Sequence, residues 1–343
     1  MSEELEEIED DELFEHHRVV CDPGQTAIRI DLFLKDRIPN ASRNQIQVAA
    51  KSGFVKVNTT PVKSNYKVKP MDVVTIELPY PVRELELIPE DIPLDILYED
   101  QHLVVVNKPT EMVVHPGYGN YTGTMVNALI YHFGNLPSMD GQPEPRPGLV
   151  HRLDKNTSGV MVVGKTEEAM MKLSEQFYHR TTERKYRALV WGDIEEDGTV
   201  TGNLARNLKN RKVMSVFPDG DMGKHAVTHY RVLKRYGYVT LVECQLETGR
   251  THQIRVHMQY INHPLFNDPE YGGDKILKGT TFAKYRQFVE NSFRLIPGQA
   301  LHAFSLGFKH PATDEWMYFE KEIPEGFAQI LDRWENYINT RQD

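Results

Sequence analysis

Apolar positions along the chain fall into two blocks with different spacing, separated by a proline-rich stretch. From Ile28 to Ile38 they recur as on a short helix, and Pro39-Asn40 ends it. Ser42 and Gln45 form a capping-box pattern that opens a second helix through Ile46, Ala49 and Ala50, with Gly53 just past its end. Phe54–Asn58, a turn at Thr59-Thr60-Pro61 and the alternating run Val73–Leu78 read as short strands. Pro79 to Pro93 holds four prolines in fifteen residues and shows no period, which predicts an extended linker over 80–93.

From Leu94 the pattern is that of a larger domain with strands and helices. Leu103–Asn107 is a continuous apolar strand, Thr124 opens an amphipathic helix closed by Gly134, and Thr166 opens another with Met170, Leu173 and Phe177 on one face. Strands are expected at Lys185–Gly192 and Val239–Leu246, a helix or extended run at His252–His257, and an amphipathic helix from Phe327 to Ile338. Between the apolar pair Leu149-Val150 and the strand Val160–Val163 lies the polar stretch His151-Arg152-Leu153-Asp154-Lys155-Asn156-Thr157-Ser158-Gly159. A carboxylate flanked by cations on a loop held between apolar strands is how a scaffold presents one reactive group. Asn, Asp, Ser and Gly are also ordinary turn residues, so spacing alone leaves a solvated hairpin equally open.

Composition adds the setting. The 343 residues are 40% apolar and 26% charged, as in soluble globular proteins. No run reaches the length of a membrane span, and the N-terminus lacks a basic-then-apolar signal pattern. The two cysteines, Cys21 and Cys244, form no CxxC pair, which fits a reducing cytoplasm. The net charge of −9 changes meaning once its distribution is read. Residues 1–17 carry nine acids and no Lys or Arg, so the remainder is neutral; such a block reads as a disordered acidic tail. Residues 28–79 hold nine Lys/Arg against four Asp/Glu, a basic module suited to a phosphate backbone. Residues 206–212 form a second basic cluster on an expected loop.

The 28–79 segment, with Ser42-Arg43 and the Gly53-x-Val55-x-Val57-Asn58 run, resembles the S4-type RNA-binding module. That resemblance implies RNA contacts from the cations around the helix pair, among them Arg29, Arg43 and Lys51. A lysine-rich solvated face on a small domain is the alternative. Residues 94–325 resemble the RluA-type pseudouridine synthases, in the RluD-like branch that carries an S4 domain. The motifs are His151-Arg152-Leu153-Asp154 with Thr157-Ser158-Gly159, Asn107-Lys108-Pro109 with His115-Pro116-Gly117, Lys185-Tyr186, and Gly249-Arg250-Thr251-His252-Gln253-Ile254-Arg255-Val256-His257. His263-Pro264, Asp268, Tyr271-Gly272-Gly273 and Leu301-His302-Ala303 also follow the family pattern.

The resemblance implies an α+β fold: an S4-like α/β module over 25–79, the linker 80–93, and a large mixed, mostly antiparallel sheet over 94–343. It implies isomerisation of uridine to pseudouridine in RNA, pointing toward large-subunit (23S) ribosomal RNA, by a monomer without cofactor or metal. The spacing of His252, His257 and His263 is not HExxH, which agrees with the absence of a metal site. Among site residues it implies Asp154 as nucleophile or base, Arg255 as its cationic partner with Arg250 as rival, and Tyr186 stacked on the uracil. Arg152 would hold the place of the extruded base, and His151 would order the loop beside bound RNA. Attack on the ring, attack on the sugar and a glycal route all stay open. The alternatives are a non-catalytic RNA-binding ribosome-assembly factor and a synthase acting on transfer RNA. A carboxylate-dependent glycosidase ranks last, because no second carboxylate in the motifs serves as proton donor.

Overall fold

The chain divides into two compact units, a smaller one of residues 1–86 with 140–145 and a larger one of residues 87–139 with 146–343. The computed structural model describes residues 13–38, 41–78, 87–117, 119–138, 146–208, 210 and 213–342.

In the smaller unit the elements are β1 (Phe14–Val20), α1 (Ile30–Lys35), α2 (Arg43–Lys51), β2 (Val55–Val57), β3 (Thr60–Pro61) and β4 (Val73–Leu78). The strands form an antiparallel sheet in the order β1-β4-β2-β3. Helix α2 starts where local chemistry dictates. Ser42 accepts from the Gln45 amide and the Gln45 side chain accepts from the Ser42 amide, a closed capping box. Ile30, Phe33, Leu34 and Ile46 from the helices pack on Val55, Val57 and Val74 of the sheet. Phe14 to His17 belong to β1 rather than to an unstructured acidic tail, which corrects the expected boundary at residue 17. Pairing with β4 runs through backbone groups, so a charged, half-exposed edge strand forms despite its polar side chains. Residues 1–12 lie outside the described residues.

The larger unit contains β5 (Asp95–Glu99), β6 (Leu103–Lys108), α3 (Met125–Phe133), β7 (Ser158–Gly164), α4 (Glu167–His179), β8 (Glu183–Trp191), β9 (Gly198–Arg206), β10 (Met214–Phe217) and β11 (Lys224–Arg235). It continues with β12 (Val239–Leu246), α5 (Gln253–Tyr260), α6 (Ala283–Phe293), β13 (Leu301–Lys309), β14 (Trp316–Glu320) and α7 (Glu325–Gln342). One ten-stranded sheet runs β10-β9-β11-β12-β8-β13-β7-β6-β5, with β14 also paired to β13. Among the described residues only β13 and β7 pair in parallel, so the sheet is mixed and mostly antiparallel. Thr124 and Thr166 cap α3 and α4 through their side-chain oxygens. No helix among the described residues is long and apolar enough to cross a membrane.

The proline-rich stretch does not act as a linker throughout. Residues 79–86 lie outside the described residues, but 87–93 belong to the larger unit. Asn127 donates to the Ile88 carbonyl, the Glu90 amide donates to the Asn127 carbonyl, and Leu87 packs against the core beneath α3. Backbone groups of an irregular segment are satisfied by one buried residue, a tertiary contact that composition does not encode.

Candidate active site

The polar stretch 151–157 lies over the sheet at the start of β7, and each flank is tied down. Gly159 sits at φ 119°, and a Cβ there would lie 2.2 Å from the Ala303 carbonyl oxygen of β13. Only glycine lets the two parallel strands approach at this point. Next to it, His302 Nε2 donates to the Lys321 carbonyl at 2.8 Å, so its Nδ1 accepts from the Ser158 hydroxyl at 2.7 Å. Burial pushes the His302 pKa down to about 4, which keeps it in that neutral form. Gln299 donates to Thr157, and the Thr157 amide donates to the Asp154 carbonyl. Leu153 is buried beneath the loop with Val104, Val106 and Met161.

His151 is half-buried; its Nε2 accepts from the Val162 amide at 3.1 Å and its ring stacks on Phe177 at 4.4 Å. Burial first, then the Arg184 charge, lower its pKa to about 3. It orders the loop as a neutral acceptor and does not supply a positive charge to a ligand. Lys108 is fully buried at the end of β6, and its ammonium donates to the carbonyls of Pro109, Met112 and Lys155. Burial pushes its pKa down to about 7, with Asp154 pulling the other way. This lysine fastens the 109–112 loop to the loop that carries Asp154.

Asp154 meets Arg255 across a cavity of about 800 Å³ lined also by Arg152, Tyr186 and Arg250. The Arg255 Nη1 donates to Asp154 Oδ2 at 3.2 Å. Arg255 is 4% exposed and is itself held by Asp268, which is fully buried and accepts from Nε at 2.7 Å and from Nη2 at 2.8 Å. Glu270 takes a further bond from Nη2, and the guanidinium lies 5.0 Å from the centroid of the Tyr271 ring. Burial opposes the charge on Arg255, but the Asp268, Asp154 and Glu270 carboxylates outweigh it and raise its pKa. The arrangement presents one carboxylate, Asp154, through a guanidinium whose other edge is locked by a bidentate bond.

Helix α5, which carries Arg255, is fixed by its own first turn. Gln253, 3% exposed, donates to the Val227 carbonyl and the Thr228 hydroxyl of β11 and accepts from Thr248 and from the Arg250 amide. His252 stands at φ 56°, a left-handed conformation for a non-glycine residue just before the helix. Its Nε2 is 3.8 Å from Asp154 Oδ1, and its Nδ1 is 2.9 Å from the Tyr271 hydroxyl. Burial lowers its pKa, while Asp154 pulls it up. Arg250 does not take the expected rival role: its Nε donates to the His225 carbonyl, and Asp154 pairs with Arg255.

Tyr186, on β8 opposite Cys244 of β12, reaches the same cavity. Burial raises its phenol pKa, Arg184 counteracts this, and Asp154 adds to it. Arg152 is exposed and lines the cavity. Asp268, Glu270, Gln253 and Lys108 complete the site but were given no task by sequence reasoning. Asp268, Gln253 and Lys108 stand within recognised motifs, and only their partners across the fold reveal what they do.

In the smaller unit, Arg29 and Arg43 both donate to Asp31, whose side chain is fully buried, and Gln47 adds a third contact. Their side chains remain 40% and 47% exposed, so Asp31 fixes both without burying them. Lys51 is exposed in the last turn of α2. Burial works against the Asp31 charge, but Arg29, Gln47 and Arg43 together lower its pKa below the ordinary carboxylate value. A lowered pKa contributes stability above the unfolded value of ~3.9, lost as pH falls through the folded one. Asp31→Asn is therefore expected to cost about 1–2 kcal/mol at neutral pH, read from urea-dependent hydrogen exchange over residues 30–51. The deficit against wild type should shrink at pH 3.5; an equal deficit at both pH values would exclude the electrostatic account.

Residues 102–260 match the RNA pseudouridylate synthase family, and residues 28–74 match the S4 domain. The chain is 44% identical over 320 residues to an uncharacterized RNA pseudouridine synthase of Chlorobaculum parvum, covering 93% of this chain and 97% of that protein. It is 43% identical over 311 residues to the ribosomal large subunit pseudouridine synthase D of Zymomonas mobilis, covering 88% and 92%. Among solved structures, human RNA pseudouridylate synthase domain containing 4 superimposes with a TM-score of 0.54 at 29% identity, over 70% of this chain and 92% of that one. With its family motifs gathered around one cavity and relatives matching nearly its full length, the chain belongs to the RNA pseudouridylate synthases, isomerases that here carry an N-terminal S4 domain.

Proposed function

We propose that this enzyme converts specific uridines of large-subunit (23S) ribosomal RNA to pseudouridine, with Asp154 as the reacting group. The observation that carries the reading is the Asp154 carboxylate held by Arg255 in a cavity that also receives Tyr186. The reaction breaks the C1′–N1 bond, turns the uracil and joins C1′ to C5. N1 gains a proton and C5 loses one, so no electrons are exchanged. A carboxylate beside C1′ serves as nucleophile or base toward the sugar. Arg255 aims it, its own position set by Asp268. Tyr186 stacks on the uracil as a neutral phenol.

The target base must leave its helix, which costs a few kcal/mol of stacking and pairing. Arg152, exposed beside the cavity, fills the vacated space with a guanidinium plane. Arg29, Arg43 and Lys51 of the S4 domain add phosphate contacts, and Arg250 adds another at the cavity. The ribosomal assignment draws on relatives named ribosomal large subunit pseudouridine synthase D. It is tested by mapping pseudouridines through carbodiimide-stop primer extension in a strain lacking the gene. One or more 23S stops should vanish; an unchanged 23S pattern with a lost transfer RNA stop would move the substrate to transfer RNA.

A further inference from the structure

Three cations are buried among the described residues: Lys108, Arg184 and Arg255. Lys108 is matched by three carbonyls and Arg255 by three carboxylates. Arg184 is not matched in this way. It is 7% exposed, and no carboxylate among the described residues pairs with it. Its Nη2 makes two long contacts, 3.5 Å to the Leu246 carbonyl and 3.4 Å to the Glu247 carbonyl, and its Nε has no hydrogen-bond partner among the described residues. The Phe177 ring, its centroid 5.6 Å from the guanidinium, offers the charge a π face but no acceptor. A guanidinium left in this state carries an uncompensated desolvation cost.

Its position gives that cost a use. Arg184 lies on β8 two residues before Tyr186, so both side chains leave the same face of the sheet, about 7 Å apart along the strand. Both line the cavity that holds Asp154. The guanidinium passes under the turn at Gly249, where a Cβ would lie 2.8 Å from Nη1. Arg180, exposed in a left-handed conformation at the end of α4, lines the same wall, and its charge is felt at Arg184. A cation without a carboxylate thus stands beside the place where the uracil would stack, at a separation comparable with that between a nucleobase and its own backbone.

From this geometry we infer that Arg184 is the anion subsite of the cavity and takes the phosphodiester of the flipped nucleotide, with Arg180 at its rim. The inference rests on the pseudouridine synthase reading for the identity of its ligand. A phosphate oxygen would take the cavity-facing Nη N–H groups in charge-assisted bonds, with the sealed Nε behind them.

The test uses the full chain, a 23S transcript, and a stem-loop carrying the uridine that the wild-type enzyme converts. In filter binding over a salt series, Arg184→Met should weaken binding about tenfold and lower the salt slope by about 0.7–0.9, one phosphate contact. Arg184→Lys should restore the slope. A single methylphosphonate at the target uridine should cost the wild type a similar factor and cost Arg184→Met little more. An unchanged slope in Arg184→Met, equal losses in the Lys and Met variants, or losses that add to the methylphosphonate effect would each overturn the subsite. A wild-type enzyme that converts no uridine in the transcript would instead sink the functional reading, while the transcript salt series still reports on Arg184.

Discussion

Asp154→Asn should abolish isomerisation, with turnover on the substrate RNA lowered on the order of 10⁴-fold or more, while RNA binding and folding are largely kept. The substitution is chosen for what it leaves in place. Asparagine has the size of aspartate and retains an oxygen to accept from Arg255 Nη1, so the 3.2 Å contact can persist. Arg255 remains bonded to Asp268 and Glu270, so its buried charge is not orphaned. The loop keeps its Thr157 and Lys108 anchors, because those reach backbone carbonyls and the 157 amide rather than the Asp154 side chain. What disappears is the negative charge and nucleophilic oxygen facing the sugar. Pseudouridine formation followed by carbodiimide mapping or tritium release from C5 reads the activity, and filter binding reads the affinity. An RNA-binding assembly factor without catalysis would show no wild-type turnover to lose. Turnover by the variant within tenfold of wild type would remove Asp154 from the chemistry.

How far the site could be read in advance depended on whether an interaction is local in the chain. The caps at Ser42, Thr124 and Thr166 close within three residues, and each marked its helix correctly. Asp154, Tyr186 and Arg255 were singled out through motif resemblance, and all three line one cavity. The supports were not legible, because their partners lie far away in sequence. Lys108 reaches the carbonyl of Lys155, Ser158 reaches His302, and Gln299 reaches Thr157. Strand β13 escaped periodicity because it is buried on both faces and so has no alternation to display. Strand β1 escaped because its sequence, FEHHRVV, shows no regular alternation, while its pairing runs through the backbone. Arg184 gave no signal at all: an arginine two residues before a tyrosine becomes informative only when its buried Nε is seen without a partner.

Arg255→Met should be the most destabilising single change at the site, by about 3–5 kcal/mol, because it strands a buried charge. Asp268 is fully buried and would lose both bonds from the guanidinium, keeping only those from the Glu270 and Tyr271 amides. At about 2–4 °C per kcal/mol, the melting temperature of the larger unit should fall on the order of 10 °C. Activity should fall as far as in Asp154→Asn, since the carboxylate would lose the cation that aims it. Arg255→Lys should recover part of the stability and little activity, because an ammonium cannot reproduce the fork that bonds Asp268 and Asp154 at once. The double variant Arg255→Met with Asp268→Leu separates charge from packing. With both ends of the buried pair apolar, stability should return most of the way to wild type while activity stays lost. Additive destabilisation in the double variant would mean that Arg255 holds the site by its bulk, and the role assigned to Asp268 would fall with it.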